Sequence, residues 1–477
     1  MRSRTAAILM ALALLSAACG ARLTDEQRAA VLSGGGGAVP GVGGPVTGTT
    51  SPGAVPTNGA TSPGSSPGAP GGPSAPNTAA CPEGENKASD KGVTASEINL
   101  GVVVDESGVQ TGLFTPARHA MQAWAAMVNN AGGLCGRQVV IHRYDTQTNS
   151  GGNQAGTEQA CSSDFAIVGS MSAFDNGGYD AGNACGIPAI PAISTNAWKN
   201  DEIYPPNYFP AYPQRPDHII DTASYVAETH PDVKDGAAAI WLNQPVTRTN
   251  MYARIDAYKQ AGFEFVYTQE AQVTDPNYAS YVSQMKNNDP PVKHLTFVGN
   301  YQSAENLLQA MDQQSWHPDF IDFDSVVYSP LFLQDLKERG ITTTNVFWFI
   351  NSGMFEEASS NPEMQLYEQW LGQVPGAGAP DFFGLYAWSA GRLFQEVATK
   401  LGPDLTRKKF LSEIAKVKEW DSHGLHSPHL TSQKLTGPCY LYGNVQNYAF
   451  KRLAPASGWR CNNPTRSVPY PPPNPNS

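Results

Sequence analysis

From Val93 onward the chain alternates short apolar runs with amphipathic stretches. Ile98–Val104 (INLGVVV) predicts a buried strand, and Pro116–Asn130 a helix with Ala, Met and Trp on one face. Val139–Tyr144, Ala166–Val168 and Ala189–Ile193 predict further strands, with helical stretches near Gln154–Ala160 and Tyr179–Ala184 between them. Strands separated by single helices imply a parallel sheet covered on both faces. After the Pro-rich stretch Pro205–Pro216 the pattern restarts, with strands at Ala237–Leu242, Phe263–Tyr267, His294–Val298 and Phe320–Phe323. The helices between them are Tyr252–Ala261, Tyr278–Met285, Ala304–Gln313 and Leu331–Glu338, and Gly262 is placed to end the first of these. Val346–Ile350 predicts another strand, followed by helices around Glu363–Leu371, Leu385–Leu401 and Lys408–Lys416. Tyr440–Asn444 and Ala449–Leu453 predict a hairpin with Gly443 and Asn444 on its turn side. The expected fold is α/β, with two doubly wound parallel-sheet lobes joined by hinge crossovers. The first lobe is expected at 93–213 and 345–432, the second at 214–344 and 433–465.

The first 92 residues follow a different pattern. Arg2 and Arg4, the apolar run Ala6–Leu15 and the small residues Ser16–Ala18 make a secretory signal too short to span a bilayer permanently. The Cys at this cut, Cys19, resembles the lipid acceptor in the lipobox of bacterial lipoproteins, although Ser16 stands where that family prefers Leu. The plainer alternative is a secreted protein with Cys19 near the cut by chance. Residues 22–32 read as a short helix capped by Thr24 and Gln27. Half of the residues from Gly34 to Ala79 are Gly or Pro and none is charged or aromatic, so 20–92 is expected to be a flexible tether. As a Gly-rich coil the 34–79 stretch would span on the order of 40 Å. A Pro-rich disordered tail is expected at 466–477.

Behind signal and tether, about 385 of the 477 residues remain, enough for two lobes with a core each. The net charge of −11, with Lys and Arg scattered, gives no footprint for nucleic acid. Apart from Cys19, the cysteines are Cys81, Cys135, Cys161, Cys185, Cys439 and Cys461, an even set in an oxidising compartment. Six cysteines allow fifteen pairings, and sequence alone does not choose among them. The expected set is Cys161–Cys185 and Cys439–Cys461 as local staples, leaving Cys81–Cys135. No CxxC spacing occurs, so no zinc or redox role is expected.

Several short pieces carry a family resemblance. They are Glu97–Val104, Val128-Asn129-Asn130-Ala131-Gly132-Gly133-Leu134, Gly136-Arg137, Tyr144-Asp145, Ala166-Ile167-Val168-Gly169-Ser170 and Ile187-Pro188-Ala189-Ile190. In this order and spacing the chain, over roughly 93–455, resembles the type 1 periplasmic solute-binding proteins of branched-chain amino acid and amide transporters. The resemblance implies a small-molecule ligand held between two lobes and a partner ABC transporter permease. Two places depart from it: Asp145-Thr146 stands where paired acids are common, and Gln244-Pro245-Val246-Thr247-Arg248 where an aromatic is common.

In open parallel sheets ligands sit at the carboxyl ends of strands, where helix N-termini converge. The loops after the third and fourth strands, Ser170-Met171-Ser172-Ala173-Phe174 and Ser194-Thr195-Asn196-Ala197-Trp198, match positions where the family grips a ligand carboxylate or carbonyl. Ser170, Ser172, Ala173, Ser194 and Thr195 are therefore candidate contacts; helix capping by the same hydroxyls is the competing reading. Asp105 and Asp324 are candidates for a ligand ammonium, the second near the family's acidic clamp and the first by loop position only, against turn or cap roles. Tyr301 stands where the family often supplies an aromatic, against simple rim packing. His423, His426 and His429 are separated by Gly424 and Pro428 and are expected in a solvated loop rather than at a metal. No nucleophile elbow, His-Glu-x-x-His pair or phosphate loop occurs, so no cofactor or catalysis is expected. The expected function is a lipid-tethered receptor that feeds an ABC importer by cleft closure. The alternatives are a ligand-sensing receptor for a signalling partner and an exported hydrolase.

Overall fold

The structure is a computed structural model that describes residues 80–461 except 110, 196–197, 200–201, 204, 214–219, 276 and 344–345, together with 474. The signal, Cys19, the 22–32 helix, the tether up to residue 79 and the tail other than 474 lie outside the described residues.

The first lobe is a four-stranded parallel sheet. Its strands are β1 (Glu97–Val104), β2 (Gln138–Asp145), β3 (Ala166–Val168) and β4 (Ala189–Ile190), in the order β2-β1-β3-β4. Helices α1 (Thr115–Asn130), α2 (Ser150–Ser163) and α3 (Tyr179–Cys185) make the crossovers. β1 is apolar on both faces because it lies centrally, with Leu100, Val102 and Val104 fully buried. The Gly-Gly turn before β2 has a steric reason. Gly133 has φ +83° and packs against the backbone of Arg137, where a Cβ would come within 2.2 Å of the carbonyl oxygen.

The expected strand 189–193 is split in two. β5 (Ile193–Ser194) leaves the sheet at Pro191 and pairs with β8 (Tyr212–Pro213), after the short antiparallel pair β6 (Trp198–Lys199) and β7 (Glu202–Ile203). The tether also ends earlier than expected. Residues 80–92 form a strap on the first lobe, held by Cys81–Cys135, by Asn86 Nδ2 donating to Cys135 O (2.7 Å) and by Arg137 Nη2 donating to Lys87 O (3.3 Å). All three disulfides pair as expected.

The second lobe follows helix α4 (Ile220–Thr229). Its strands are β9 (Ala237–Leu242), β10 (Phe265–Ala271), β11 (His294–Val298), β12 (Phe320–Phe323), β13 (Val346–Ile350), β14 (Leu441–Gln446) and β15 (Ala449–Ala454). They form a seven-stranded sheet in the order β10-β9-β11-β12-β13-β14-β15, parallel through β13 and antiparallel beyond it. Helices α5 (Pro245–Gln260), α6 (Ala279–Lys286), α7 (Tyr301–Gln313) and α8 (Pro330–Glu338) connect the strands.

Two expectations fail here. The return to the first lobe, expected at 345, comes later because β13 pairs with β12 in the second sheet. The chain then packs back on α1 through α9 (Pro362–Leu371) and α10 (Phe382–Leu401), the second buried on almost every face, before α11 (Arg407–Ile414). The hairpin turn is also misplaced by the sequence reading. Asn447 and Tyr448 make it, with φ of +51° and +57°, and Gly443 lies inside β14 opposite Trp348. A Cβ on Gly443 would come within 2.2 Å of the Trp348 ring.

The segment 420–436 corrects a further expectation. His426 and His429 are buried rather than solvated. Their rings stack at 4.6 Å, Ser389 Oγ lies 2.8 Å from His426 Nε2, and His429 Nδ1 lies 2.7 Å from Ala211 O. Burial holds the His426 imidazole down, at about 4, so it packs as a neutral ring. Among the described residues no group of three or more His, Cys, Asp or Glu is placed to hold a metal, and no helix is long and apolar enough to cross a membrane.

Candidate functional site

The carboxyl ends of both sheets open onto a common cleft of about 630 Å³, part of it open to solvent. The first lobe contributes Leu113, Phe114, Met171, Ala173, Ile193 and Thr195, and α10 adds Phe382 and Phe383 at its N-terminus. Tyr212 reaches in from the crossover. The second lobe contributes Gln244, Val246, Thr247 and Asn250 around the start of α5, Asn300 before α7, and Asp324 and Ser325 after β12. The walls are mostly apolar, and no Lys or Arg stands among the described lining residues.

Helix N-termini surround the cleft because parallel strands feed their helices there. Asn300 caps α7 by accepting from Ser303 N, and Asp381 caps α10 by accepting from Gly384 N, each at 2.8 Å. α5 has no side-chain cap and begins with Pro245. Val246 and Thr247 supply the end N–H groups that a helix does not satisfy internally. Asp324 faces this region. Its carboxylate accepts from Val326 N at 3.1 Å. Burial pushes it up to about 6, and the Arg254 charge beneath opposes that rise. Arg254 itself is buried, donates to Thr296 Oγ1 (3.2 Å) and lies 4.8 Å from the Phe349 ring centre.

Of the eight candidate ligand residues, the fold brings Ala173, Thr195 and Asp324 into this cleft. Tyr301 lines an adjoining recess of about 340 Å³ that shares Leu113, Val326, Phe382 and Phe383 with it. Ser170 accepts from Val103 N at 2.8 Å, and Ser172 accepts from Phe174 N at 3.0 Å. Both line a separate chamber inside the first lobe. Ser194 is fully buried in β5. Asp105 is also fully buried and faces inward: it accepts from Ala173 N (2.8 Å), from Thr146 Oγ1 and from the Ser172 hydroxyl. Thr195 N donates to Asp175 Oδ2 at 2.8 Å, and its hydroxyl donates to Ser172 O at 2.7 Å.

Residues 97–442 match the family model described as periplasmic binding protein. The chain belongs to that family. Solved structures share the type 1 periplasmic binding protein fold. A fatty acid ABC transporter substrate-binding protein from Thermomonospora curvata superposes with TM-score 0.68 at 16% identity, covering 83% of this chain and 99% of that one. The branched-chain amino acid transporter substrate-binding protein LivJ from Streptococcus pneumoniae, in complex with isoleucine, gives 0.62 at 16% identity over 76% of this chain and 100% of that one. The solute-binding protein of an ABC transporter from R. palustris, in complex with benzoate, gives 0.64 at 13% identity over 77% and 98%. No curated protein sequence matches the chain.

In this periplasmic binding protein the sequence reading missed most of the cleft wall. Phe382-Phe383 carried a signal, since two aromatics directly after the capping Asp381 open a helix whose N-terminus reaches the cleft. Gln244, Thr247 and Asn250 had none, being ordinary polar residues of a helix start. The set can hold a solute with an apolar body, a carbonyl or carboxylate at the α5 N-terminus, and an N–H or O–H group toward Asp324.

Proposed function

We propose that this protein is an extracytoplasmic receptor that binds a small solute in the interlobe cleft and delivers it to the permease of an ABC importer. The observation that carries this reading is a cleft walled by both lobes, with an uncapped helix end and an acid on one rim and apolar side chains around them. Closing two lobes on a solute removes it from water and forms one surface from two, which a membrane partner can distinguish from the open form. Nothing in this role requires bond chemistry, and we read the protein as a non-enzyme. The ligand class is an amino acid, an amide or a small carboxylate. The ligands named for the similar structures, fatty acid, isoleucine and benzoate, pair an apolar body with a carboxyl group. Lipid attachment at Cys19 would hold the receptor near its permease at high local concentration.

Purification under mild conditions, mass spectrometry of co-purified small molecules and a thermal-shift screen of amino acids, amides and small carboxylates test the reading. At least one is expected to raise the melting temperature and to be imported poorly when the gene is deleted. A screen in which nothing stabilises the protein removes the ligand class, and unchanged uptake on deletion removes the importer.

A further inference from the structure

Behind the cleft, inside the first lobe, lies a chamber of about 500 Å³, part of it open to solvent, lined by residues of β1, β3, β4, α2 and α3 and by Pro205, Asn207 and Tyr208. Its walls are mainly apolar, with Val103, Ile167, Ile187 and Ala189 among them. Met171 and Ile193 line both chamber and cleft, so they form the partition between the two. A methionine partition can move, because an unbranched side chain changes rotamer at little cost.

Polar atoms in this wall are mostly matched within the protein. Ser170 and Ser172 accept backbone N–H groups, and Asp175 Oδ2 accepts from Thr195 N, Tyr208 OH and Tyr179 OH. Asn207 differs. It is 5% exposed, and its Nδ2 is fixed by Gly182 O (3.1 Å) and Ile187 O (2.6 Å), which also settles which end of the amide is oxygen. Its Oδ1 is buried without a partner. A buried carbonyl oxygen left in this way costs free energy that an occupant with an N–H or O–H group would recover.

Resting on the receptor reading above, we propose that the chamber is the tail compartment of the ligand site. The solute is then an elongated amphipathic molecule: a carboxylate or amide head in the cleft, and a medium-length hydrocarbon tail that passes Met171 and Ile193 and carries a terminal hydrogen-bond donor to Asn207 Oδ1.

Three probes test this by isothermal titration calorimetry on the full chain: butanoate, octanoate and ω-hydroxyoctanoate. Each methylene that reaches the chamber is expected to raise affinity by about fourfold. A terminal hydroxyl buried without a partner would weaken binding by about tenfold or more. Meeting Asn207 instead, it leaves ω-hydroxyoctanoate at least as tight as octanoate. Gly182→Leu fills the chamber. Gly182 lies on α3, and a Cβ there has only ordinary contacts, the nearest 3.4 Å from Thr157 Cγ2. This variant is expected to bind butanoate as the native protein does and to lose the gain from chain length. If butanoate binds but affinity does not rise with length, or if the rise survives Gly182→Leu, the chamber proposal is overturned and the receptor reading stands. If all three probes fail in both proteins, the carboxylate ligand class falls and the tail compartment falls with it.

Discussion

In the first lobe the N–H groups of Ala173, Phe174 and Thr195 donate to Asp105, Ser172 and Asp175, all inside the lobe. In the second lobe the start of α5 has no side-chain cap, and Asp324 stands half-buried at the cleft surface. Loops at the carboxyl ends of the strands in the two sheets therefore divide two tasks. The first lobe uses its short polar side chains to fix loop shape and offers the cleft mainly carbon. The second turns the uncapped start of α5 and the Asp324 carboxylate toward the cleft, the groups we propose meet the solute. A serine-rich loop beside a binding cleft is thus no guide to which atoms touch the ligand; the hydrogen bonds already made decide that.

Four perturbations would break or sharpen this contrast. Asp105→Ala should have the largest effect on stability, about 3 kcal/mol, since three buried donors lose their acceptor at once. Urea denaturation measures it, and a loss under about 1 kcal/mol would deny Asp105 its scaffolding role. Asp324→Ala should instead lower affinity for a ligand found in the screen by about tenfold or more, with no loss of stability at neutral pH, where the charged carboxylate disfavours the folded state. Titration calorimetry beside denaturation separates the two, and the reverse pattern would exchange the roles of the lobes.

The third perturbation is pH. Burial, opposed by Arg254, raises the Asp324 carboxyl from its ordinary 3.8 to about 6 in the folded protein. Its contribution to stability is therefore fully present below pH 3.8 and is lost as pH rises through about 6. Asp324→Asn, which stays neutral, should gain on the native protein in melting temperature across that window. A difference that does not change with pH would mean that Asp324 is not held in a desolvated site. The smallest effect is expected for Thr195→Val, which removes the 2.7 Å bond to Ser172 O and should cost about 1 kcal/mol of stability. Ligand affinity should stay within about twofold. A larger loss of affinity than of stability would show that the first-lobe rim also holds the solute.

The fold was legible because its signals are local. Runs such as Ile98–Val104 and Ala237–Leu242 are apolar on both faces, and helices on either side are the arrangement that buries both. The cysteine pairs agreed with the expectation for a similar reason, two of them closing short loops. Errors arose where long-range pairing decided the outcome. Gly443 looked like a turn residue, yet its place is set by Trp348, nearly a hundred residues earlier. His426 and His429 looked solvated because Gly424 and Pro428 forbid a helix, but an irregular segment can still be buried against α10 when its polar atoms find partners.

The candidate site divides along the same line. The sequence by itself determined which loops border the cleft, since strand order and helix direction bring the carboxyl ends of a parallel sheet together. It also placed Asp324, Ala173 and Thr195 at that border. Only the tertiary structure decided what each does there. Asp105 and Asp324 are both acids at strand ends. One turns inward to three donors and the other stays at the cleft surface, because a hydrogen bond depends on which partners packing brings within 3 Å and not on the residue type alone.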